Sequence, residues 1–223
     1  MNVFEIIGPV MIGPSSSHTA GAARIGRVAA LLLDGPPAYA RIRLHGSFAK
    51  TYKGHGTDRA LVAGIMGMRP DDPRIRDSLR LAEESGLRVE FSEEAVSDAH
   101  PNTVEIALGT ADGREMTVRG SSIGGGHILI SRIGGMEVAL TGEHTAFVIL
   151  HRDTPGTIAG VTRFMAENGI NIANFTLSRQ SKGGLAVMSI EIDRDADDEI
   201  CRQISRMPNI TKAILLHADL DEL

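Results

Sequence analysis

Residues 145–170 read TAFVILHRDTPGTIAGVTRFMAENGI and decide the fold of the C-terminal half of the chain. An apolar run over 145–151 predicts a buried strand, and the turn-forming sequence DTPG follows it directly. A helical stripe comes next, made of Ile158, Val161 and Met165, and Gly169 provides the C-terminal stop. The stretch therefore predicts a strand that leads straight into an amphipathic helix.

The sequence after this stretch completes a recognisable module. It predicts two strands joined by a hairpin at Lys182-Gly183-Gly184, then a helix that ends before Pro208, then a last strand. These elements cover residues 170–180, 185–192, 197–207 and 210–217. The order strand, helix, strand, strand, helix, strand is that of the ferredoxin-like βαββαβ fold.

The N-terminal half is predicted to be a compact α+β domain, so the fold class of the chain is α+β with two domains. We place the boundary in the turn-rich segment around residues 141–144 and assign 1–143 and 144–223 to the two domains. Helices are predicted from the serines at 15–17 to residue 34, over 57–65 and over 73–85, and strands over 39–45, 87–91, 102–109 and 115–119. Asp72 is predicted to cap the third helix, with Ile75, Leu79 and Ala82 facing inward, and Asp112-Gly113 is predicted to join the last two strands.

Composition excludes several classes of function. The 223 residues carry a net charge of −5, which offers no electrostatic basis for nucleic-acid binding. No apolar run is long enough to span a membrane, and no secretory signal is visible at the start, so we expect a cytoplasmic protein. The single cysteine, Cys201, cannot form an intramolecular disulfide or hold an iron–sulfur cluster by itself.

The sequence GPSSSHT at residues 13–19 places three hydroxyls and an imidazole at the predicted start of a helix. The free N–H groups of a helix start attract anions such as carboxylate or phosphate. Simple capping would need only one serine, so the run ending in His18 favours a binding site over a cap.

Three further motifs lie in the same domain. His55 sits between two glycines in GHGTD, before a predicted helix, and His100 opens the sequence HPNT. The glycine-rich turn SSIGGGH at 121–127 has backbone amides that can form an anion-binding nest. Each motif alone is also explained by an ordinary loop, but together they suit a small carboxylate-bearing substrate and proton transfer.

The same motifs do not indicate a metal site within this chain. A zinc ion shared by His18, His55 and His100 would match no local metal-binding motif, so no metal ligand is predicted. Walker, HExxH and Cys–His motifs are also absent from the sequence. The residues predict part of an active site without its strong electrophile.

The motif series resembles the β subunit of iron–sulfur-dependent bacterial L-serine dehydratases. The resemblance rests on SSSHT at 15–19, GSFAKTYKGHGTD at 46–58, HPNT at 100–103 and SIGGG at 122–126, in this order along nearly the whole chain. The C-terminal half, with HRDTPG at 151–156 and NGINI at 168–172, resembles an ACT domain. Such domains usually pair between chains and bind small effectors at their interface.

The resemblance implies the deamination of L-serine to pyruvate and ammonia, a step of amino-acid metabolism and gluconeogenesis. In this family a separate α subunit holds a 4Fe–4S cluster on three cysteines and leaves one iron open for substrate, so this chain would supply no cluster ligand. The implied partners are that α subunit and a second copy of this chain, in a homodimer through the ACT domain or a heterotetramer. Threonine remains an alternative substrate, since one methyl group gives limited discrimination.

The resemblance also implies roles for individual residues. His55 or His100 would be the base that removes the α-proton, and the sequence does not separate them. His18 with Ser16 and Ser17 would bind the substrate carboxylate or orient its neighbours. Further carboxylate contacts would come from Asn102 and from the backbone of Gly124 and Gly125. Lys50 and Lys53 are candidates for charge neutralisation, although solvated surface lysines are the expected alternative.

In the ACT half, serine-binding domains use a histidine and an amide residue on the first loop and an asparagine after the first helix. His151 and Asn171 match that pattern, but Asp153 stands at the loop amide position. A carboxylate there would repel a ligand carboxylate, although it can pair with an amine or a cation. Effector binding, a cation site and a purely structural dimerisation role therefore all remain open.

Three other functions stay open at this stage. The first alternative is a non-catalytic regulatory subunit that binds an amino acid through its ACT domain, which would leave the histidines without a role. The second is a self-sufficient metalloenzyme built on the histidines, and the third is a structural interaction subunit.

Overall fold

The computed structural model describes Met11, Gly13 and residues 15–193 and 195–218. The chain divides into two compact units, with the boundary between Gly134 and Gly135. The two are described separately below. No helix in the described parts of the chain has both the length and the apolar character needed to cross a lipid bilayer, the longest having 11 residues.

The N-terminal unit begins with a π-helical segment, Ser17–Gly21, that continues into helix α1, Ala22–Leu32. Strand β1 (Tyr39–Leu44) is followed by helices α2 (Gly46–His55) and α3 (Thr57–Ile65), a 3-10 turn (Pro73–Asp77), helix α4 (Ser78–Glu84) and strand β2 (Arg88–Glu93). Strands β3 (Thr103–Gly109), β4 (Glu115–Gly124), β5 (His127–Ile133) and β6 (Met136–Leu140) then follow.

The strands of the N-terminal unit form one sheet in the order β2-β1-β3-β4-β5, and β6 lies beyond the boundary at Gly134. Strands β1 and β2 are parallel, and β3, β4 and β5 continue from β1 in antiparallel pairs. A parallel pair needs a crossover connection, and here the crossover is the whole segment that contains α2, α3 and α4. The alternation in β1, with Ala40, Ile42 and Leu44 buried, shows one face of the sheet turned to the core.

Helices α1 and α3 pack together with almost no side chain between them. A Cβ atom on Gly64 of α3 would collide with the carbonyl oxygen of Ala23, and one on Gly26 of α1 would collide with that of Leu61. Small residues at a crossing let the two backbones approach closely. This contact fixes the π-helical start of α1 next to the start of α3, where the predicted site motifs lie.

Several sequence predictions for this unit are confirmed. Helix α3 begins and ends at the predicted residues, the hairpin at Asp112-Gly113 joins β3 to β4, and Asp72 caps the 3-10 turn by accepting the amide of Arg74 at 2.9 Å. The prediction that Leu79 faces inward is wrong, because its side chain is 37% exposed, whereas Ile75 and Ala82 are buried. The helix there begins as a 3-10 turn, which changes the angular spacing on which the prediction depended.

Three elements were missed. Residues 46–55 form helix α2, although the sequence favoured a loop around His55. Strand β4 continues through Ser121 and Ser122 to Gly124, so the predicted glycine-rich turn is confined to its end, and β5 and β6 follow it. The glycines at both ends of α2 and within 120–126 explain these errors, since glycine weakens any local pattern.

The C-terminal unit has the predicted βαββαβ order. Its elements are β7 (Ala146–Arg152), α5 (Thr157–Glu167), β8 (Ile172–Arg179), β9 (Leu185–Ile192), α6 (Asp198–Ser205) and β10 (Ile210–Leu216). The strands form an antiparallel sheet in the order β10-β7-β9-β8.

The helices of this unit cover the sheet and close its core. Val161 and Met165 of α5 and Ile204 of α6 are fully buried against Phe147 and Ile190 of the sheet. Ile158, which the sequence placed on the same stripe, is 37% exposed, because it lies in the first turn of α5 beside the open turn at Gly156. The predicted α+β fold class is confirmed.

Candidate functional site

The site is built around the first turn of the helical segment that begins at Ser17. Ser15 accepts the amide of Thr19 on its carbonyl oxygen at 2.9 Å and the amide of His18 on its hydroxyl at 3.4 Å. Ser16, the residue before the segment, makes no side-chain cap. One serine therefore caps the helix, as an ordinary helix start requires.

His18 lies at the centre of a ring of hydroxyls. Its Nδ1 is 3.2 Å from the hydroxyl oxygens of both Ser15 and Ser17, and its Nε2 is 3.4 Å from that of Ser47. The side chain is 8% exposed. Burial lowers the pKa of His18 below 6.5, and the neighbouring charge of His55 lowers it further, so the imidazole is neutral at pH 7.

Helix α2 presents two rings to His18. The ring of His55, its last residue, stands nearly perpendicular to that of His18, with 4.8 Å between centroids. Phe48, a buried residue of the same helix, makes a second edge-on contact with the His18 ring, with 5.3 Å between the centroids. His55 is exposed, so one histidine of the pair is held in the interior and the other faces solvent.

The sharp end of α2 positions His55. Gly56 adopts a left-handed conformation (φ 73°) and is both the C-terminal cap of α2 and the residue before α3. An L-residue is strained in that conformation, which explains the glycine that follows His55. His55 is thus placed at the end of a helix rather than on an irregular loop.

A pocket of about 220 Å³ opens beside this histidine pair. Its lining carries three cationic side chains and three glycines around His55. The lining residues are Gly13, Thr19, Lys53, Gly54, His55, Gly56, Arg59, Ile75 and Arg76. Arg59 and Arg76 were not predicted, because they come from separate segments and neither belongs to a conspicuous local pattern. Thr19 stands in the predicted motif GPSSSHT, but the sequence assigned it no role.

His100 and Asn102 lie at the entrance to β3. The Nδ1 of His100 accepts the amide of Asn102 at 3.1 Å, and the hydroxyl of Thr103 donates to the His100 carbonyl at 2.6 Å. Between them, the carbonyl of Pro101 accepts the amide of Ser47 at 2.7 Å, which attaches this loop to the start of α2. His100 is exposed, and the structure shows no direct contact between it and His18 or His55 in the described residues.

Asn102 is fixed to the end of β4. Its carbonyl accepts the amide of Ser122 at 3.0 Å, and its Nδ2 donates to the Ser122 carbonyl at 3.5 Å. The Oδ1 of Asn102 and the hydroxyl of Ser122 are buried without a hydrogen-bond partner. Ser122 in turn packs on Gly21, where a Cβ atom would collide with its hydroxyl. Asn102 is thereby connected, through Ser122, to the π-helical segment that carries His18.

Gly124 ends β4, and Gly125 and Gly126 form the turn that follows it. All three have positive φ values, of 107°, 60° and 86°. The carbonyl of Gly126 accepts a hydrogen bond from Arg24 of α1 at 2.7 Å, which fixes the turn against the first helix. The structure therefore brings His18, His55, Ser17 and the Ser47 hydroxyl together. Asn102 is connected to the same helical segment through Ser122 and Gly21, and the glycine turn is connected to α1 through Arg24.

The three ACT residues singled out in the sequence do not meet within one chain. His151 ends β7 and pairs with Ala186, whereas Asn171 precedes Ile172, which pairs with Ile192 at the other end of β9. Six residues of strand, about 20 Å at roughly 3.3 Å per residue, separate the two positions. A site that uses both residues needs them from two protomers.

Asp153 is already engaged within its own unit. Its carboxylate accepts the amide of Gly183 at 3.1 Å and pairs with the guanidinium of Arg179 at 2.7 Å. The amide of Gly183 and the Arg179 guanidinium lower the pKa of Asp153 below 3.8. His151 is buried, with Nδ1 2.8 Å from the Arg152 carbonyl oxygen and Nε2 unpartnered.

Comparison with known proteins supplies the family. The profile of the serine dehydratase beta chain family matches residues 2–132. The chain is 47% identical to the "Probable L-serine dehydratase, beta chain" of Bacillus subtilis, over 94% of this chain and 94% of that protein. This chain belongs to the serine dehydratase beta chain family.

A second relative and a second family profile also match this serine dehydratase beta chain. The "L-serine dehydratase, beta chain" of Peptoniphilus asaccharolyticus is 38% identical, over 95% of this chain and 96% of that protein. The AHAS small subunit-like ACT domain profile matches residues 147–212. A crystal structure of the ACT domain from the GTP pyrophosphokinase of Chlorobium tepidum covers 32% of this chain and 95% of its own, with 16% identity and a TM-score of 0.28.

The residues of this beta chain do not form a cluster-binding set. Cys201 is buried on α6 among apolar side chains, and desolvation raises the pKa of its thiol to about 11. A thiolate ligand needs the opposite shift. Among the residues that the structure describes, no group of three or more His, Cys, Asp or Glu side chains is arranged to hold a metal ion. An iron–sulfur cluster does not fit the donor atoms present here.

Proposed function

We propose that this chain is the β subunit of an L-serine dehydratase, which deaminates L-serine to pyruvate and ammonia together with an α subunit. Its membership of the beta chain family supports the assignment. The observation that carries it is the pair formed by buried, neutral His18 and exposed His55 beside a cationic pocket. Such a pair suits proton removal from a small carboxylate-bearing substrate.

In the proposed reaction, a base takes the proton from Cα while hydroxide leaves Cβ, which gives aminoacrylate. Tautomerisation and hydrolysis of the imine then release pyruvate and ammonia. His55 and His100 are the candidates for the base, and the contact with His18 and the adjoining pocket favour His55. His18 holds His55 in place, and Ser15, Ser17 and Ser47 hold His18.

The remaining sequence-derived residues keep the role of substrate contacts in this proposal. Ser16 and Ser17 lie at the helix start, and Asn102, Gly124 and Gly125 lie on the side attached to β4. The backbone carbonyl of Asn102 accepts the Ser122 amide, and Arg24 donates to the carbonyl of Gly126. These bonds make the region around Asn102 and the glycine turn rigid before substrate binds.

The α subunit is proposed to carry the 4Fe–4S cluster, on three cysteines of its own. The cluster would supply the Lewis acid for the departing hydroxyl group. We further propose a cytoplasmic enzyme in which two copies of this chain pair through their ACT domains, as a homodimer or within a heterotetramer with the α subunit.

The test is L-serine dehydratase activity of this chain, of the α subunit alone and of their anaerobic mixture. We expect turnover only in the mixture. Activity of this chain alone would overturn the two-subunit proposal. An inactive mixture in which the cluster is spectroscopically intact would favour the alternative of a non-catalytic regulatory subunit.

The same mixture separates the two candidate bases. His55→Ala is expected to lower kcat by about 100-fold or more, as for loss of a general base, and His100→Ala by much less. Turnover near the wild-type rate in His55→Ala, with a large loss in His100→Ala, would transfer the role of the base to His100.

A further inference from the structure

The pocket beside His55 is cationic in a chain whose net charge is −5. Lys53 extends from α2, Arg59 from α3 and Arg76 from the 3-10 turn, so three separate elements converge there. None of the three side chains forms an ion pair with an acid among the described residues; Lys53 lies 5.6 Å from the ring centroid of Tyr52. The carboxylate of Asp58 attracts both Arg59 and Lys53, but one carboxylate does not neutralise three cations, and like charges brought together repel each other.

Most other exposed arginines of this unit do have acidic partners. Ion pairs with aspartate or glutamate are formed by Arg43, Arg69, Arg74, Arg80, Arg114 and Arg119. Asp58 is adjacent to Arg59 in sequence, but its carboxylate accepts the backbone amide of Arg59 at 2.8 Å rather than the guanidinium. The cations of the pocket are therefore left available for an anion from outside the chain.

A second observation points into the same pocket. Thr19 lines it, is only 2% exposed, and has a hydroxyl without a hydrogen-bond partner. A buried hydroxyl without a partner costs free energy, which a bound acceptor would recover. Thr19 directly follows His18, so this hydroxyl lies in the same helical turn as the buried histidine.

Gly54 supplies a third observation. It lies inside helix α2, its φ is not positive, and a Cβ atom there would meet nothing within 4 Å. Neither backbone conformation nor packing within the chain explains a glycine at this position, where it weakens the helix. The space that it leaves belongs to the pocket lining.

We propose, on the basis of the dehydratase function above, that this pocket binds the carboxylate of the amino-acid substrate through Arg59 and Arg76, with Lys53 and the Thr19 hydroxyl as further donors. Arginine matches the two oxygens of a carboxylate with two parallel hydrogen bonds. The α-carbon is bonded to the carboxylate carbon, so a carboxylate held here places the α-proton next to His55. Neutralising the carboxylate also favours loss of that proton.

The proposal assigns a different partner to Asn102. A carboxylate accepts hydrogen bonds, and the unpartnered atom of Asn102 is the acceptor Oδ1. That atom is suited to the substrate ammonium group rather than to the carboxylate. The substrate carboxylate is thus assigned to the cationic pocket, and no longer to Asn102 and the glycine turn as the family resemblance implied.

The experiment uses the full-length chain without the α subunit. The isotope-labelled protein is titrated at constant ionic strength with L-serine and with L-serinamide, which lacks the carboxylate, while the imidazole signals of His55 and the Nε–H signal of Arg59 are followed by NMR. We expect saturable shifts with L-serine and none with L-serinamide. Arg59→Gln and Arg76→Gln should each weaken L-serine binding about tenfold or more, the effect of losing a charge-assisted hydrogen bond.

Arg88→Gln is the matched control, since Arg88 is exposed on β2 of the same unit and outside this pocket. It should bind L-serine as wild type does. Equal binding of L-serinamide, unchanged affinity in the double variant Arg59→Gln/Arg76→Gln, or no saturable shift in the wild-type chain would overturn the proposal. Because this readout needs no turnover, an inactive reconstituted enzyme would refute the dehydratase function without deciding the pocket, and lost binding would refute the pocket without deciding the function.

Discussion

At His18 a polar ring is buried in the interior and still has hydroxyl partners on both nitrogens. Its two nitrogens are therefore fixed by Ser15 and Ser17 on one side and by Ser47 on the other. A neutral imidazole with both nitrogens held is rigid, and a rigid ring fixes the orientation of the ring packed against it. The exposed His55 thus gains a defined position from a buried neighbour.

The lowered pKa of His18 predicts a dependence of stability on pH. Below pH 6.5 the unfolded chain binds a proton on this histidine that the folded chain does not, so the free energy of unfolding falls as pH drops through that range. At neutral pH neither state is protonated and the effect is absent. We expect His18→Gln to reduce the loss of stability between pH 7 and about 5.5, measured from urea unfolding midpoints. Parallel losses in wild type and variant would contradict the assignment.

Ser47 is expected to act as a positioning residue through His18. Ser47→Ala should lower kcat of the reconstituted enzyme about tenfold with little change in KM, because it removes one hydrogen bond from His18 and none from substrate. Ser47→Thr, which keeps the hydroxyl, should restore most of the rate. Ser85→Ala removes a hydroxyl that bonds the Ala82 carbonyl at the end of α4 and serves as the control. An equal loss in Ser47→Thr would refute the positioning role.

Individual site residues were predictable from sequence where a motif was contiguous. The serines and His18 stand in one run, and His55 is marked by its flanking glycines. Arg59 and Arg76 could not be predicted, because they reach the pocket from different elements that only tertiary packing brings together. Thr19 stands in the same run as His18, but nothing in the run indicates that its hydroxyl lacks a partner. Lys53 was expected to be an ordinary surface lysine, and the structure places it in the pocket lining.

At the scale of elements, the strongest periodic patterns were predicted well. Helix α3 and strand β9 have the predicted ends, since each is apolar and bounded by turn residues. Helix α2 was not predicted, because its sequence GSFAKTYKGH is polar and Phe48 is its only buried residue. Its position is set by tertiary contacts, such as the Ser47 amide on the Pro101 carbonyl, which sequence periodicity does not report.

Two glycines in neighbouring helices should respond in opposite directions to the same substitution. Gly64→Ala forces a methyl group onto the backbone of α1 and should destabilise the fold by about 1–3 kcal/mol. Gly54→Ala meets open space and should stabilise helix α2 by about 0.5–1 kcal/mol. Thermal or urea unfolding of the two variants decides this. Similar stability in both variants would mean that the α1–α3 contact is looser than described.

At the scale of the whole molecule, the ACT unit leaves its two matching residues at opposite ends of one sheet. His151 and Asn171 cannot bind a single small molecule within one protomer. The carboxylate of Asp153 pairs with Arg179 and accepts the amide of Gly183, so its charge is balanced within the unit. If an effector binds, it does so between two copies of the chain.

This arrangement predicts complementation between inactive copies. The titrations use a full chain that also carries Arg59→Gln and Arg76→Gln, so that L-serine binding at the pocket beside His55 is removed. In that chain, His151→Ala and Asn171→Ala should each abolish the remaining L-serine binding at equilibrium. Mixing the two variants should restore about a quarter of the wild-type sites when protomers exchange at random in a twofold dimer. Binding that survives in either variant, or no recovery on mixing, would rule out a site shared in this way. No binding to the chain that carries only Arg59→Gln and Arg76→Gln would leave the ACT unit with a dimerisation role.

The parallel pair β1 and β2 has a consequence for how the protein folds. Residues 45–87 form one long connection between two adjacent strands, and this connection carries Ser47, Lys53, His55, Arg59 and Arg76. Closing a long loop costs entropy before its contacts are repaid, so pairs of this kind form slowly. The antiparallel hairpin β3–β4 is local and has no such delay. We therefore expect native amide protection to arise in β3 and β4 before the pocket exists, which makes substrate recognition the last property that a newly synthesised chain acquires.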